Sequence, residues 1–191
     1  LHTNLTNEEL FLAKRLFRMG LNVEKILLAD PPPGQADEFL LTADRTANRR
    51  GWEEIGLSAK AADLAGLAGT DMLLIFGHYL AASFSPADLK NRLDGIETKV
   101  LFASHKSSLD ALVDFIVPVP VSAEKRGSLT NLDGRVQTFY PALDFCSDGV
   151  PEWKALLDLA KELKVDDEHY RALDSPEAVR RALGKEIPFF E

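Results

Sequence analysis

The sequence predicts an α/β fold built on a parallel sheet. Three short segments, TDMLLIFGH (70–78), ETKVLFAS (97–104) and DFIVPVP (114–120), have apolar centres without polar alternation, as strands buried on both faces do. Helical patterns lie between successive strands, and this alternation favours helices on both faces of the sheet. We therefore expect a Rossmann-like domain of three layers.

A capped helix opens the chain. In LTNEELFLAKRLFRMG (5–20), Thr6 is a predicted N-cap, Glu9 completes a capping box three residues later, and Gly20 ends the helix. The apolar run VEKILLAD (23–30) is typical of a buried strand, and the PPPG that follows it stops regular structure. The start of the chain thus predicts one helix followed by one strand.

The middle of the chain predicts a long connection and two helices. Residues 35–57 show no sustained period, and a long connection of this kind is often functional or interface-forming. SAKAADLAGLAG predicts a helix with Ser58 as its cap, and SPADLKNRLDG predicts one with Ser85 as its cap and Pro86 in its first turn. SSLDALV predicts one or two helical turns before the strand at 114–120, which its prolines keep at an edge of the sheet or terminate.

The C-terminal part predicts two more helices. PEWKALLDLAKEL, which begins at Pro151, carries an apolar stripe that is typical of core packing. DSPEAVRRALGKEIPFFE predicts a short helix capped by Ser175, after which the two adjacent phenylalanines dock on the body. We place an α/β domain at residues 1–165 and a C-terminal helical tail at residues 166–191.

Composition and charge exclude several classes of protein. The chain has 191 residues and a net charge of -8, which argues against binding nucleic acid or an anionic membrane. No apolar run approaches the ~20 residues that span a bilayer, so we expect no direct membrane insertion. The single cysteine, Cys146, cannot form an internal disulfide or a zinc cage, and we interpret it as an inert thiol. The chain begins at Leu1 rather than Met, and we expect a processed product or a piece of a longer protein.

Two histidines follow successive predicted strands. His78 follows the apolar run of the strand predicted at 70–78, and His105 follows the strand predicted at 97–104. Ligands of open parallel sheets bind beyond the carboxyl ends of strands. If the strands are neighbours, Gly77 and Ser104 share one crevice with the histidines. The alternative is that both histidines are ordinary loop residues at the rim. No third ligand has the spacing of a metal site, and the sequence has no G-x-G-x-x-G after a strand, no P-loop and no G-x-S-x-G.

The stretch AEKRGSLTNLDGRVQ (123–137) predicts an irregular β-hairpin that projects from the end of the strand at 114–120. Asp133 and Gly134 suit a two-residue turn that needs positive φ, and the segments on either side alternate as strands do. The turn does not explain four polar residues, which either close a buried hydrogen-bond network or face a ligand or partner. These residues are Glu124, Asn131, Arg135 and Gln137.

The hairpin and the strand before it resemble the molybdopterin oxidoreductase superfamily. In that superfamily, A-D-V-V-L-P is followed by A-E-K-x-G-T-x-T-N-x-E-G-R-x-Q. The matching residues are Asp114, Pro118, Glu124, Lys125, Gly127, Thr130, Asn131, Gly134, Arg135 and Gln137.

Within the superfamily, the sequence looks more like the large iron–sulfur subunit of NADH–quinone oxidoreductase, the G-type subunit of complex I. DEFLLTADRTANRRGWEEIGL is similar to that subunit's A-D-x-x-P-N-x-x-G-A-x-x-L-G-L, and PEWKALLDLAKEL to the helix after its hairpin. The Gly134–Arg135 pair also favours this subunit, because molybdenum enzymes such as formate dehydrogenases usually have two arginines there.

The resemblance implies a cofactor-free structural domain of the molybdopterin oxidoreductase type. GHYLA and SSLDALVD stand where the family has motifs near its pterin-facing rim, so no bound pterin, catalytic residue or metal ligand is expected in this chain. The parent subunit carries iron–sulfur clusters. The implied partners are other domains of that subunit, contacted through residues 35–57 and 123–140, and other subunits of the peripheral arm. The implied location is the cytoplasmic side of the inner membrane, within the complex.

Two alternatives remain open. The chain is a fragment of a formate-dehydrogenase-like molybdenum enzyme, or it is a flavodoxin-like module that binds an anionic ligand at its strand ends. In the first case, five residues that match positions near the pterin rim would line the pterin site. These candidates are His78, His105, Ser107, Asn131 and Arg135.

Overall fold

The computed structural model describes residues 1–30, 33–44, 46–57, 60–61, 64–145, 149–165 and 170–191. Its α-helices are α1 (Asn7–Ala13), α2 (Arg49–Ile55), α3 (Tyr79–Ser83), α4 (Pro86–Leu93), α5 (Glu152–Glu162) and α6 (Pro176–Glu186). A wider π-helical segment, Lys14–Gly20, continues α1, and 3-10 turns cover Leu64–Leu67, Asp110–Leu112, Ser122–Glu124 and Pro188–Phe190. The strands are β1 (Leu27–Leu28), β2 (Lys60–Ala61), β3 (Met72–Phe76), β4 (Thr98–Ala103), β5 (Phe115–Pro118), β6 (Gly127–Thr130) and β7 (Val136–Phe139). The predicted cap Ser58 and the lone Cys146 lie outside the described residues.

A parallel sheet in the order β3–β4–β5 forms the centre of the fold. Phe76 of β3 pairs with Phe102 of β4, which in turn pairs with Val117 of β5. β5 lies at an edge of this sheet, a position that is compatible with the prolines in its sequence. β1 and β2 form a separate short parallel pair, and β6 and β7 form the antiparallel hairpin.

Helices cover both faces of the parallel sheet. Because successive side chains of a strand point to opposite faces, each strand contributes to two cores. Phe76 and Phe102 stack with ring centroids 4.4 Å apart in the core that contains α1, α5 and α6. Ile75 and Leu101 belong to the second core, with Leu89 of α4. The predicted α/β fold with three layers is confirmed.

Helix α1 is the most deeply buried helix of the larger core. Each of its residues is buried, including three that are polar or charged. The predicted capping box is present: Thr6 Oγ1 accepts from the Glu9 N–H, and Glu9 Oε2 accepts from the Thr6 N–H. Ser85 and Ser175 cap α4 and α6 as predicted. Phe190 packs into the same core as α1, which confirms the docking of the C-terminal phenylalanines.

Two predictions in the first half of the chain are only partly right. The strand predicted at 23–30 is reduced to Leu27–Leu28, since Arg18 Nη1 donates to the carbonyls of Val23 and Glu24 and removes them from strand pairing. The connection at 35–57 ends in the unpredicted helix α2. Its buried residues Trp52 and Ile55 are too few to produce a detectable period.

The prediction of a helix over residues 58–69 is wrong. The described part of this segment contains β2 and a 3-10 turn at Leu64–Leu67. Leu64 and Leu67 are the buried residues of the turn, and a spacing of three residues suits a 3-10 geometry. Gly69 follows with a φ of 67°, which an α-helix does not accommodate.

The turn of the β-hairpin is longer than predicted. The Asn131 N–H donates to the Arg135 carbonyl at 3.0 Å, and the Arg135 N–H donates to Asn131 Oδ1 at 2.8 Å, so the loop comprises residues 132–134. Gly134 has the predicted positive φ, at 81°. The prediction of a two-residue turn is wrong because Asn131 and Arg135 close the loop instead of extending the strands.

Within the described residues, no helix combines the length and the apolar character that crossing a membrane requires. The division at residue 165 stays a prediction. Val179 and Leu183 of α6 are fully buried in the core that surrounds α1, so the C-terminal helix packs on the body.

The close approach of β6 to α1 requires a glycine at position 127. A Cβ there would lie 2.8 Å from Thr6 Cγ2 and 3.0 Å from Glu8 Oε2. We predict that Gly127→Ala lowers the free energy of unfolding by ~1–3 kcal/mol, measured by urea denaturation. The matched control is Gly66→Ala, where a Cβ meets nothing within 4 Å, and we expect it to stay within ~0.5 kcal/mol of the wild type. Equal stabilities of the two variants would contradict this packing.

Candidate functional site

A buried polar network joins α1 to the hairpin. We call it the α1–hairpin network. Its members come from α1, α5, the hairpin segment and the loop before α2, and all are buried except Lys125, whose side chain is 10% exposed. They are Asn7, Glu8, Glu9, Asn48, Lys125, Ser128, Thr130 and Glu152. Because polar groups lose solvation on burial, a network of this size is stable only if its members satisfy one another.

Lys125 lies between two buried carboxylates. Its Nζ is 3.2 Å from Glu9 Oε1 and 2.5 Å from Glu152 Oε1. The side chains of Lys125, Glu9 and Glu152 are 10%, 2% and 5% exposed. One ammonium, two residues before the start of β6, therefore connects the first helix to α5.

The other half of the network fixes β6 against α1. Glu8 accepts from the Ser128 N–H at 2.8 Å and from the Ser128 hydroxyl at 3.0 Å. Asn7 Nδ2 donates to Ser128 Oγ and to Thr130 Oγ1, both at 3.1 Å. Asn48 Oδ1 accepts from the Thr130 N–H at 2.7 Å, and Asn48 Nδ2 donates to the Leu5 carbonyl. Each of the two buried hydroxyl residues of β6, Ser128 and Thr130, thus contacts helix α1.

Burial shifts the protonation of this network. Burial, then the charge of Glu9, raises the pKa of Glu152 to about 8, and Lys125 opposes this shift only in part. Burial raises the pKa of Glu8 to about 7 despite its bonds from Ser128. Burial alone lowers the pKa of Lys125, but the carboxylates of Glu9 and Glu152 outweigh it, so the pKa is raised. The core of the network is thus the Lys125 ammonium between Glu9 and Glu152, and burial favours the protonated form of Glu152 more than that of an exposed carboxyl.

An open cleft of about 370 Å³ borders the network. The cleft lies between Tyr79 and the hairpin. The lining residues are Asn4, Thr6, Ala47, Tyr79, Ser122, Lys125, Leu129 and Phe139. Asn4 Nδ2 donates to the Tyr79 hydroxyl, and Asn4 Oδ1 accepts from the Ala47 N–H. The walls thus combine two aromatic rings and two aliphatic side chains with the ammonium of Lys125 and a few hydroxyl or amide groups that are partly engaged within the chain.

His78 and His105 lie together, as neighbouring strands require. Their ring centroids are 4.0 Å apart, and the ring of Tyr79 stacks on His78 at 4.9 Å. Ser104 Oγ is 3.1 Å from His105 Nδ1. Burial, then the proximity of His105, lowers the pKa of His78, so the neutral form of the His78 ring is favoured. Across the described residues, no group of three His, Cys, Asp or Glu side chains is placed to hold a metal ion.

The other three rim candidates have local roles elsewhere. Ser107 and Asp110 close a small turn, in which the Ser107 N–H and hydroxyl donate to Asp110 Oδ1. Asn131 closes the hairpin loop, whose Gly134 lies beside Phe189 of the C-terminal segment. Arg135 is exposed. In the part of the chain that the structure describes, no hydrogen bond or ion pair connects Asn131 or Arg135 to the two histidines.

The polar residues that the sequence singled out in the hairpin do not form the buried network. Glu124 Oε2 accepts from the Val121 N–H within its own turn, and Gln137 is exposed. The network uses Lys125 and the two hydroxyl residues of β6 instead. Glu8 and Glu152 were missed because carboxylates in the first turn of a helix usually face water. The available signal was Gly127, two residues after Lys125, since glycine in a strand marks the close approach of another segment.

Comparison with known proteins gives partial similarity to oxidoreductases. No protein-family model matches the chain. A Bacillus subtilis (strain 168) protein named "Putative formate dehydrogenase YrhE" is 30% identical over 97 residues, which cover 51% of this chain and 9% of that protein. A "Putative formate dehydrogenase" of Staphylococcus aureus (strain USA300) is 38% identical over 53 residues, which cover 28% of this chain and 5% of that protein. The chain thus matches less than a tenth of the length of these relatives, whose names agree with the oxidoreductase superfamily that the sequence resembles.

The cleft does not match the needs of a phosphate-bearing pterin cofactor. Phosphate groups in proteins are bound by unpaired cations or by clustered backbone N–H groups. Lys125 is the one cation among the described lining residues, and Glu9 and Glu152 already contact its ammonium. An anionic ligand in the cleft would meet a site whose positive charge is neutralised.

The raised pKa of Glu152 predicts a stability that depends on pH. The stability that the protonated carboxyl contributes is fully present below its ordinary pKa of 4.5 and is lost as pH rises through about 8. We predict that Glu152→Gln, which mimics the protonated form, flattens the decline in free energy of unfolding between pH 5.5 and 8.5, measured by urea denaturation. The control Glu162→Gln removes a carboxylate from an exposed position on the same helix and keeps the wild-type slope. Parallel slopes for Glu152→Gln and the wild type would contradict the assignment.

The histidine pair predicts a shifted titration. Because the two rings repel each other when charged, removing His105 relieves part of the depression of the His78 pKa. We expect the His105→Gln variant to titrate His78 at a higher pH than the wild type, with burial still holding it below a free histidine. NMR titration of the imidazole signals measures both values. A His78 pKa that His105→Gln leaves unchanged would show that the rings are not coupled.

Proposed function

We propose that this chain is a structural domain of the large iron–sulfur subunit of an NADH–quinone oxidoreductase, and that it binds no cofactor of its own. In this proposal it takes part in respiratory electron transfer by packing against the cluster-bearing part of the same subunit. Its other partners are subunits of the peripheral arm of complex I, at the cytoplasmic side of the inner membrane. The observation that carries the proposal is the α1–hairpin network, which uses the hairpin for internal support.

The contacts of the hairpin support a structural role. In a ligand site, polar side chains converge on an open space, with few of their hydrogen bonds made within the protein. Here Ser128, Thr130 and Lys125 are engaged with residues of α1 and α5. The segment with the most specific family resemblance is therefore also the segment that the fold itself needs.

The separation of the rim candidates supports the same proposal. His78 and His105 meet at the ends of β3 and β4, whereas Asn131 lies at a hairpin tip beside the C-terminal segment. A pterin site of the kind that the family resemblance implies requires these groups around one ligand. The neutralised Lys125 adds to this argument, because the cofactor's phosphate would have no unpaired cation in the cleft.

The alternative function is a fragment of a formate-dehydrogenase-like enzyme that contributes to pterin binding. The names of the relatives favour it, since both described above carry that printed name. The paired rings of His78 and His105 also favour it, because they stand at the carboxyl ends of neighbouring parallel strands. This alternative requires a movement that brings Asn131 and Arg135 toward the histidines.

Metal and pterin analysis distinguishes the two functions. We expect the purified chain, and the complete subunit that contains it, to lack stoichiometric molybdenum or tungsten by elemental analysis and to release no oxidised pterin fluorescence on acid extraction. Stoichiometric metal with an extractable pterin, reduced in a His78→Ala/His105→Ala variant, would overturn the proposal and establish the alternative.

Native electrophoresis tests membership in the complex. An antibody raised against this chain should detect, in membranes of the source organism, a band that coincides with NADH dehydrogenase activity and with quinone-dependent NADH oxidation. Deletion of the coding sequence should remove both the band and the activity, because a missing structural domain prevents assembly. A band that migrates apart from the activity, with the activity intact after deletion, would contradict the proposed role.

A further inference from the structure

Strand β5 ends the parallel sheet with an apolar edge. Its Phe115 is 61% exposed and its Ile116 is 46% exposed. These two side chains point to opposite faces of the sheet, because side chains alternate along a strand. In β4, by contrast, Leu101, Phe102 and Ala103 are buried. Parallel strands are normally covered on both faces, so β5 departs from the rule that β4 follows.

The backbone of β5 also has an unpaired outer side. The Asp114 N–H donates to the Lys99 carbonyl of the neighbouring strand at 2.9 Å. Since backbone direction alternates along a strand, the N–H groups of Phe115 and Val117 point away from β4. Among the described residues, none accepts a hydrogen bond from these two N–H groups. Free edges of natural proteins are usually blunted by charge, and residues 115–118 carry no charged side chain.

The described residues downstream of β5 supply no strand for this edge. After β5 the chain forms the hairpin, whose two strands pair with each other. Helices α5 and α6 follow, and both pack into the core around α1. The upstream strands β1 and β2 also pair with each other. At the C-terminal end of this edge, the Val150 N–H donates to the Pro118 carbonyl at 2.9 Å. The described residues thus leave the outer edge of β5 open only along Phe115–Val117.

We propose that β5 is completed by an extended apolar strand from another part of the same subunit. This inference rests on the proposed function, in which the chain is one domain of a longer polypeptide. The length of the relatives supports such an occupant, since the chain matches only 9% and 5% of them. The added strand pairs with the backbone of Phe115 and Val117 and has apolar side chains on both faces, which cover Phe115 and Ile116. Pro118 limits the pairing to the N-terminal part of β5, because it has no N–H to donate.

Hydrogen exchange of the chain and of the complete subunit tests this proposal. We expect amides in a peptide over residues 112–120 to exchange at least ~10-fold more slowly in the complete subunit than in the 191-residue chain, because strand pairing protects them. Phe115→Lys and Ile116→Lys should abolish this protection in the subunit. In the chain alone, both variants should unfold like the wild type, since the side chains are exposed there. The control Leu163→Lys, at a residue that is 49% exposed on another surface, should keep the protection.

The outcomes separate this inference from the proposed function. Equal exchange rates in the chain and in the subunit would overturn the strand pairing, whatever the subunit's cofactor content. Protection that appears in the chain alone and rises with its concentration would assign the edge to a second copy, and would also overturn the proposal. A subunit that contains a pterin, with β5 protected, would end the cofactor-free function and leave the strand pairing in place.

Discussion

The ion pair between Lys125 and the buried carboxylate of Glu9 is the constraint on which the arrangement around α1 depends. A charge in a protein interior is stable only with a partner and further hydrogen bonds. Glu9 has both, since it also completes the capping box of α1. Glu152 adds a third buried group, and the same lysine thus joins α1, the hairpin and α5. Moving any of these three elements would separate buried polar groups.

This constraint explains why a polar hairpin follows the apolar edge strand β5. The glycine at position 127 lets β6 approach α1, and the hydroxyls of Ser128 and Thr130 then meet Glu8 and Asn7. The hairpin is therefore part of the interior on one side and solvent-exposed on the other. A stretch that the family resemblance connects with a cofactor has, in this chain, a structural use that its contacts define. The proposed role as a cofactor-free domain follows from that use.

Local rules predicted the elements whose signals are short-range. The strands β3, β4 and β5, the caps at Thr6, Ser85 and Ser175, and the positive φ of Gly134 all depend on neighbouring residues, and the structure has them. Predictions failed where contacts with residues distant in the sequence determine the local structure. Arg18 removes carbonyls from the strand predicted at 23–30, and the network depends on contacts between residues more than a hundred positions apart. The sequence placed His78 and His105 in one crevice only on the condition that their strands are neighbours, and the pairing of β3 with β4 meets that condition.

A Lys125→Met substitution tests the central claim most directly. It removes the ammonium but keeps much of the side-chain volume, which leaves the Glu9 carboxylate buried without its partner. The account predicts a loss of ~3–5 kcal/mol in the free energy of unfolding at pH 7, measured by urea denaturation, and recovery of much of it when Glu9→Gln is added. A Lys125→Met variant that is as stable as the wild type would contradict the account, and would return Lys125 to the cleft as a group available to a ligand.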